Sequence, residues 1–358
     1  MTPLLQNQEN LRSRWYCPPY LSIIVGLFVL AGCFDDVPRD NPFDPRSDDY
    51  EPSSQISGLI VDRTSQPVSG TLIHLESQLD TAVLRSTSDS QGRYNFKEVL
   101  PGEYRLSVEK QDFAIEQDSF SVTAFEDVTK DFVLNGVPRF EQVQIRTAHI
   151  NRIWPPPVDF TLLEVVAHVS DLDGSIDLEK AWIEVPGLGV SDTLMFTQEA
   201  GVFSKDLDVA SLNVANMQSI LGEELILKAE DRLGYISQMP SLQVARIINE
   251  TPVVSSPQVG AVLSDPQPQL TWVCQQLPFS FYYRVEVIRI DDVVRNSVTI
   301  LDNLNPAALC MDQEGSSEQA ASVQVDVQLD VGSYFWTVSI VDDFGNWSRS
   351  KEAGFVIN

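Results

Sequence analysis

SDSQGRYNFKEVLPGEYRLSVEK, residues 88–110, decides the fold class. Two turn signals, Ser90-Gln91-Gly92 and Pro101-Gly102, cut it into runs the length of a strand. After Gly102 the apolar residues Tyr104, Leu106 and Val108 recur at every second position, which places them on one face of an extended chain. The same grammar extends in both directions. ISGLIVD, TLIHLES, TLLEVVAHVSD, KAWIEVPG and FYYRVEVIRI are short β-branched and aromatic runs bounded by turn residues, and long helical periods are nearly absent. That pattern predicts an all-β chain of tandem sandwiches.

An internal echo divides the chain further. LILKAEDRLGYIS (225–237) and WTVSIVDDFGNWS (336–348) place Asp231, Gly234 and Ser237 against Asp342, Gly345 and Ser348. Leu225, Leu227 and Ala229 align with Trp336, Val338 and Ile340 at the same offset, the length of one sandwich domain of ~100 residues. Each copy predicts a period-two strand, a tight Asp-x-x-Gly turn and a last strand. Short proline-containing linkers, GVP (136–138) and NETP (249–252), give three β-sandwich units at 55–135, 138–249 and 252–358, joined by restricted hinges into an elongated rod.

The first unit resembles the carboxypeptidase regulatory-like domain, a small transthyretin-like sandwich. The match is carried by Gly58, Val61-Asp62, Pro67, Asp89, Gly92, Tyr94, Phe96, Leu100-Pro101-Gly102 and Tyr104, with one departure: the turn SQPVSGT lacks the family's alanine. The resemblance implies a non-catalytic accessory module. PQLTWVC, FYYRVEVIRI and VGSYFWTVSIVDDFGNWSRS make 252–358 similar to bacterial fibronectin type III domains, while 138–249 resembles a general bacterial immunoglobulin-like module.

Ahead of these units, LSIIVGLFVLAGCFDD (21–36) holds an apolar run of eleven residues from Leu21 to Ala31. A membrane-crossing helix needs about 20, whereas a signal-peptide core needs about this many behind basic residues such as Arg12 and Arg14. Leu30-Ala31-Gly32-Cys33 resembles the lipobox of bacterial lipoproteins. The resemblance implies that 1–32 is a signal peptide and that Cys33 carries the lipid, with palmitate among its chains. Each buried methylene contributes roughly 0.8 kcal/mol to membrane attachment. Phe34 stands where an Asp would signal inner-membrane retention in some diderm bacteria, which points to the outer membrane. Residues 33–54, rich in Asp, Pro and Ser, form a flexible tether able to reach some 60 to 70 Å at ~3.3 Å per residue.

With 24 Lys plus Arg against 51 Asp plus Glu, the net charge is −27. Such a surface repels nucleic acid, which is set aside as a partner. Of four cysteines, Cys17 falls in the leader and Cys33 takes the lipid. Cys274 and Cys310 are left as a candidate disulfide in an exported protein, the alternative being two buried thiols.

Chemistry-bearing patterns are few. Asp171-Leu172-Asp173-Gly174-Ser175-Ile176-Asp177 sets Asp171, Asp173 and Asp177 as oxygen ligands for a structural Ca²⁺, although the spacing is not that of an EF-hand. Asp-rich turns between strands also form simply because Asp bonds its own backbone. The histidines His74, His149 and His168 have no metal-ligand spacing, and HExxH, Gly-x-Ser-x-Gly and a phosphate-binding glycine loop are absent from the sequence. No catalytic residue is assigned, and an enzyme is not expected. Trp154, beside three prolines, and Phe281 and Tyr283 in FSFYY are candidate stacking surfaces for a ligand, or packing at a domain junction or strand end. The expectation is a lipid-anchored envelope protein serving as a structural or protein-interaction module. A carbohydrate-binding surface lipoprotein is the alternative, and the partners are then the membrane, envelope proteins or a glycan.

Overall fold

The computed structural model describes Ser47 and residues 53–358, apart from 80, 154–157, 291–294 and 311–318. Residues 1–32, Cys33 and Trp154 lie outside the described residues. Among those described, the elements are strands with three 3₁₀ turns and one short helix, and no helix is long and apolar enough to cross a membrane.

The period-two reading of residues 88–110 holds: Tyr104, Leu106 and Val108 are buried on the Gly102–Glu109 strand while Glu103 and Arg105 face out. That strand is central in a sheet ordered Val83–Thr87, Leu72–Ser77, Gly102–Glu109, Glu116–Val122. Facing it is a sheet around Ser54–Asp62, which pairs with Arg93–Val99 and, in parallel, with Asp127–Thr129 and Phe132–Leu134. Ile56, Ile60, Ile73, Leu75, Phe96 and Leu134 fill the space between them.

A second core gathers Leu163, Val165 and Ala167 of the Val158–Ser170 strand, Ala181 and Ile183 of Leu178–Val185, and Leu225, Leu227 and Ala229 of Glu224–Asp231. A third is organised by Trp272, Tyr283, Trp336, Val338, Ile340 and Phe355. The aligned positions of the internal echo therefore occupy equivalent core sites. Gly234 and Gly345 both take positive φ, 86° and 81°, which the fourth residue of the turn requires and a Cβ would penalise.

One sheet runs past both the second and the third core. The 14-residue strand Arg139–Arg152 pairs along one edge with Val158–Ser170 and along the other, in parallel, with Trp347–Arg349. Trp347 lies opposite Ala148 and Arg349 opposite Ile150, so the ladder runs on as a ten-stranded sheet. An edge of unpaired N–H and C=O groups is thereby covered by the neighbouring sandwich.

Cys274 and Cys310 are bridged, with Cα atoms 5.9 Å apart and a sequence separation of 36. Cys310 closes the short helix Pro306–Leu309, whose start is capped by the Asn305 side chain accepting from Ala307 N. The bridge ties the irregular segment after Leu304 to the end of the Gln269–Val273 strand.

Two stability outcomes are expected. A Cβ on Gly58 would lie 1.8 Å from Lys130 O, a backbone atom between the Asp127–Thr129 and Phe132–Leu134 strands that also accepts the Tyr94 hydroxyl. Gly58→Ala is expected to destabilise the first sandwich by at least about 2 kcal/mol in urea unfolding. Gly102→Ala, whose methyl would meet nothing nearer than 3.6 Å, should cost far less. Replacing Cys274 and Cys310 by Ser should lower stability by about 3 to 4 kcal/mol through the freed loop, read by melting of the third sandwich.

Candidate interdomain acidic site

The loop Asp171–Asp177 lies between the Val158–Ser170 and Leu178–Val185 strands. Its shape is local chemistry. Asp171 Oδ1 accepts Asp173 N at 2.8 Å, Gly174 N donates to Asp171 O, and Gly174 adopts φ 98°. A one-turn 3₁₀ segment, Ser175–Asp177, then delivers Asp177 to a buried position.

Asp173 and Asp177 meet the end of the first sandwich. Asp173 Oδ2 accepts Gly136 N at 2.7 Å. A Cβ on Gly136 would come within 2.9 Å of both Asp171 Oδ1 and Leu172 Cβ, so the approach depends on glycine. Arg63 Nη1 donates to both oxygens of Asp177 at 2.9 Å and to Asn135 Oδ1 at 3.1 Å. Asn135, itself buried, donates through Nδ2 to Asp231 Oδ2 at 2.6 Å. Arg232 N closes the arrangement on Asp177 O at 2.9 Å. The loop thus joins two sandwiches through groups far apart in sequence.

Electrostatics follow from that packing. Burial pushes the Asp171 carboxyl up to about 6; the Asp173 N–H opposes the shift, and the charges of Asp173, Asp177 and Asp231 add to it. Burial also raises Asp173, against the Gly136 N–H and the Arg63 guanidinium.

Asp171, Asp173 and Asp177 converge, with one oxygen of each within 4.8 Å of the others. Asp171 Oδ2 and Asp173 Oδ1 are buried without a protein partner and are the oxygens that could face a small hard cation such as Ca²⁺. Asp177 is already neutralised by Arg63. The sequence singled out the three acids; it missed Arg63, Asn135 and Gly136, because the pairings cross as many as 114 residues.

The aromatic candidates fall elsewhere. Tyr283 is fully buried, edge-on to Trp272 at 5.2 Å, and its hydroxyl accepts Gln275 N at 2.8 Å. Its ring is a core element, not a stacking surface, because Tyr283, Val285 and Val287 share the inward face of the Phe281–Ile290 strand. Phe281 is half-buried, edge-on to Tyr283 at 5.3 Å. Phe279 lies under the Arg246 guanidinium at 4.1 Å, which is packing at a junction.

Residues 55–135 match the carboxypeptidase regulatory-like domain family, a non-catalytic domain type. No curated protein matches the chain. Among solved structures it is similar to BcpA, the major pilin subunit of Bacillus cereus, at 9% identity over 82% of this chain and 91% of that one, with a TM-score of 0.30. The FN1–FN3 domains of chicken CNTN1 are similar at 10% identity over 80% of this chain and 91% of that one, TM-score 0.30. Chlorocatechol 1,2-dioxygenase from Pseudomonas putida is similar at 15% identity, covering 24% of this chain and 60% of the dioxygenase, TM-score 0.20. This chain therefore spans less than two thirds of that enzyme, and likenesses at these scores bear on neither its site nor its function.

The raised Asp171 carboxyl has a consequence for stability. The folded protein binds that proton more tightly than the unfolded chain, so stability falls as pH rises from about 4 through about 6. At neutral pH the charge costs about 1 kcal/mol once partial exposure to solvent is allowed for. Asp171→Asn keeps the oxygen that accepts Asp173 N and removes the charge. It is expected to raise the melting temperature at pH 7.5, with the gain vanishing near pH 4.

Proposed function

We propose that the chain is a lipid-anchored cell-envelope protein in which stiffly joined β-sandwiches act as a non-catalytic structural or protein-interaction module. The observation that carries this reading is the way the sandwiches are joined. Arg63, Asn135 and Gly136 engage the Asp171–Asp177 loop and Asp231, and the strand Arg139–Arg152 continues into the third sandwich. Independent enzymatic or binding domains on a string need no such bonding, whereas a spacer that holds one end at a set distance from the other does.

The anchor half of the reading rests on Leu30-Ala31-Gly32-Cys33 and its basic and apolar flanks. A thioether-linked diacylglyceryl group on Cys33, with an acylated amino terminus, supplies two or three chains, more than the one that binds only reversibly. The tether then separates sandwich from bilayer, and a chain of charge −27 stays clear of anionic headgroups. Phe34 after Cys33, where an Asp would signal inner-membrane retention in some diderm bacteria, supports the outer membrane as the proposed address, with envelope proteins as the proposed partners.

Palmitate labelling tests the anchor. Label is expected in the wild type and absent from Cys33→Ser, which should also leave the membrane fraction. A wild-type protein recovered unlabelled, or a Cys33→Ser protein still held in the membrane fraction, would overturn it.

A further inference from the structure

The two junctions are built from the same parts. Asp231 and Asp342 each open an Asp-x-x-Gly turn and spend Oδ1 on it: Asp231 Oδ1 accepts Leu233 N and Tyr235 N, and Asp342 Oδ1 accepts Phe344 N and Asn346 N, all at 2.9 Å. Each offers Oδ2 to the preceding sandwich, and at Asp342 the turn's own Asn346 Nδ2 adds a second donor to that oxygen at 3.1 Å. Asn135 Nδ2 donates to Asp231 Oδ2 at 2.6 Å and Arg246 Nη1 to Asp342 Oδ2 at 2.9 Å, and both donors lie 96 residues before the aspartate they reach. The internal echo of turns and core positions therefore extends to the residue that each turn grips.

The residue following the glycine reaches back as well. Tyr235 Oη lies 3.5 Å from Glu116 Oε1, and Asn346 Oδ1 accepts Thr147 N at 2.9 Å. Asp231 and Asp342 are 1% and 2% exposed, and a carboxylate so buried is costly unless its oxygens meet donors. The donor from the preceding sandwich is thus part of what allows the turn to be buried. Arg246 is additionally stacked over Phe279 and Phe344, at 4.1 and 5.5 Å.

We propose that the Asp-x-x-Gly turn is a repeated docking surface within this chain. One carboxylate oxygen folds the turn, and the other recognises an N–H donor at the end of the sandwich before it, Asn in one case and Arg in the other. Each sandwich so fixes the orientation of its predecessor. The proposal deepens the scaffold reading and rests on it for purpose, but it stands independently of the lipid on Cys33.

Hydrogen–deuterium exchange of the full-length protein, resolved by peptide, tests it with Asn135→Ala, Arg246→Met and Arg246→Lys. Arg246→Met is expected to speed exchange of the Thr147 amide and of the Trp347–Arg349 strand about tenfold or more, the loss of one charge-assisted bond. The first sandwich and the interior of the second should keep their wild-type rates. Asn135→Ala should do the same to Gly136 and Arg232 and leave the second junction alone, and Arg246→Lys, which keeps the charge, should fall between wild type and Arg246→Met. Unchanged junction amides in both variants would overturn the proposal. So would faster exchange spread evenly through a whole sandwich in Arg246→Lys as well as Arg246→Met, since the donor would then be a folding contact. Either failure leaves palmitate labelling untouched, so the anchor and the docking surface stand or fall separately.

Discussion

A carboxylate removed from water must find donors for both of its oxygens, and the architecture of this chain depends on how that demand is met. A turn's own backbone N–H groups converge on a single oxygen, as they do at Asp231 and Asp342. The second oxygen faces outward from the turn. Left to solvent it would need no partner, and the turn would be an ordinary exposed corner. Here it is buried, and another sandwich sends it a donor, joined at Asp342 by Nδ2 of the turn's own Asn346. Local turn chemistry and interdomain geometry are thus two demands of one side chain.

The same logic separates the first junction from the second. At the first, the sandwiches meet through loops: Gly136 fits against Asp171 and Leu172, and Arg63 spans to Asp177. At the second, the Asp342 contact sits beside a strand ladder that crosses the boundary, with Trp347 Nε1 donating to Glu164 Oε2 at 3.1 Å. Backbone pairing of three residues adds a directional restraint that side chains alone do not give. The second and third sandwiches are therefore held in both tilt and register.

Much of this was legible in the residues and some was not, for physical reasons. Alternation at Tyr104, Leu106 and Val108 fixes strand and inward face together, because period two has only one phase once a face is apolar. The run Phe279 to Tyr283 defeats that logic: with aromatics at successive positions either face could be the buried one, and Tyr283 turned inward. The Asp-x-x-Gly turns were visible through their repetition, and their donors were not, since Asn135 and Arg246 share an N–H group but no residue type. The Asp171–Asp177 loop was ambiguous in a deeper sense. A carboxylate cluster is specified by its own sequence, and the cation that answers it, metal or guanidinium, is specified elsewhere; Arg63 lies 114 residues from Asp177.

Net charge gives these joints their mechanical setting. The sandwiches carry most of the chain's net charge of −27 and repel one another at ranges up to a Debye length, about 8 Å at physiological ionic strength, a repulsion that fixes no angle. Angle must come from contacts that salt does not screen. The buried bonds of Asp231 and Asp342 are of that kind, and the exposed pairs, such as Arg139 with Glu141, are not. Surface charge and buried charge therefore divide the work, the first acting without direction and the second setting how each sandwich is turned against the next.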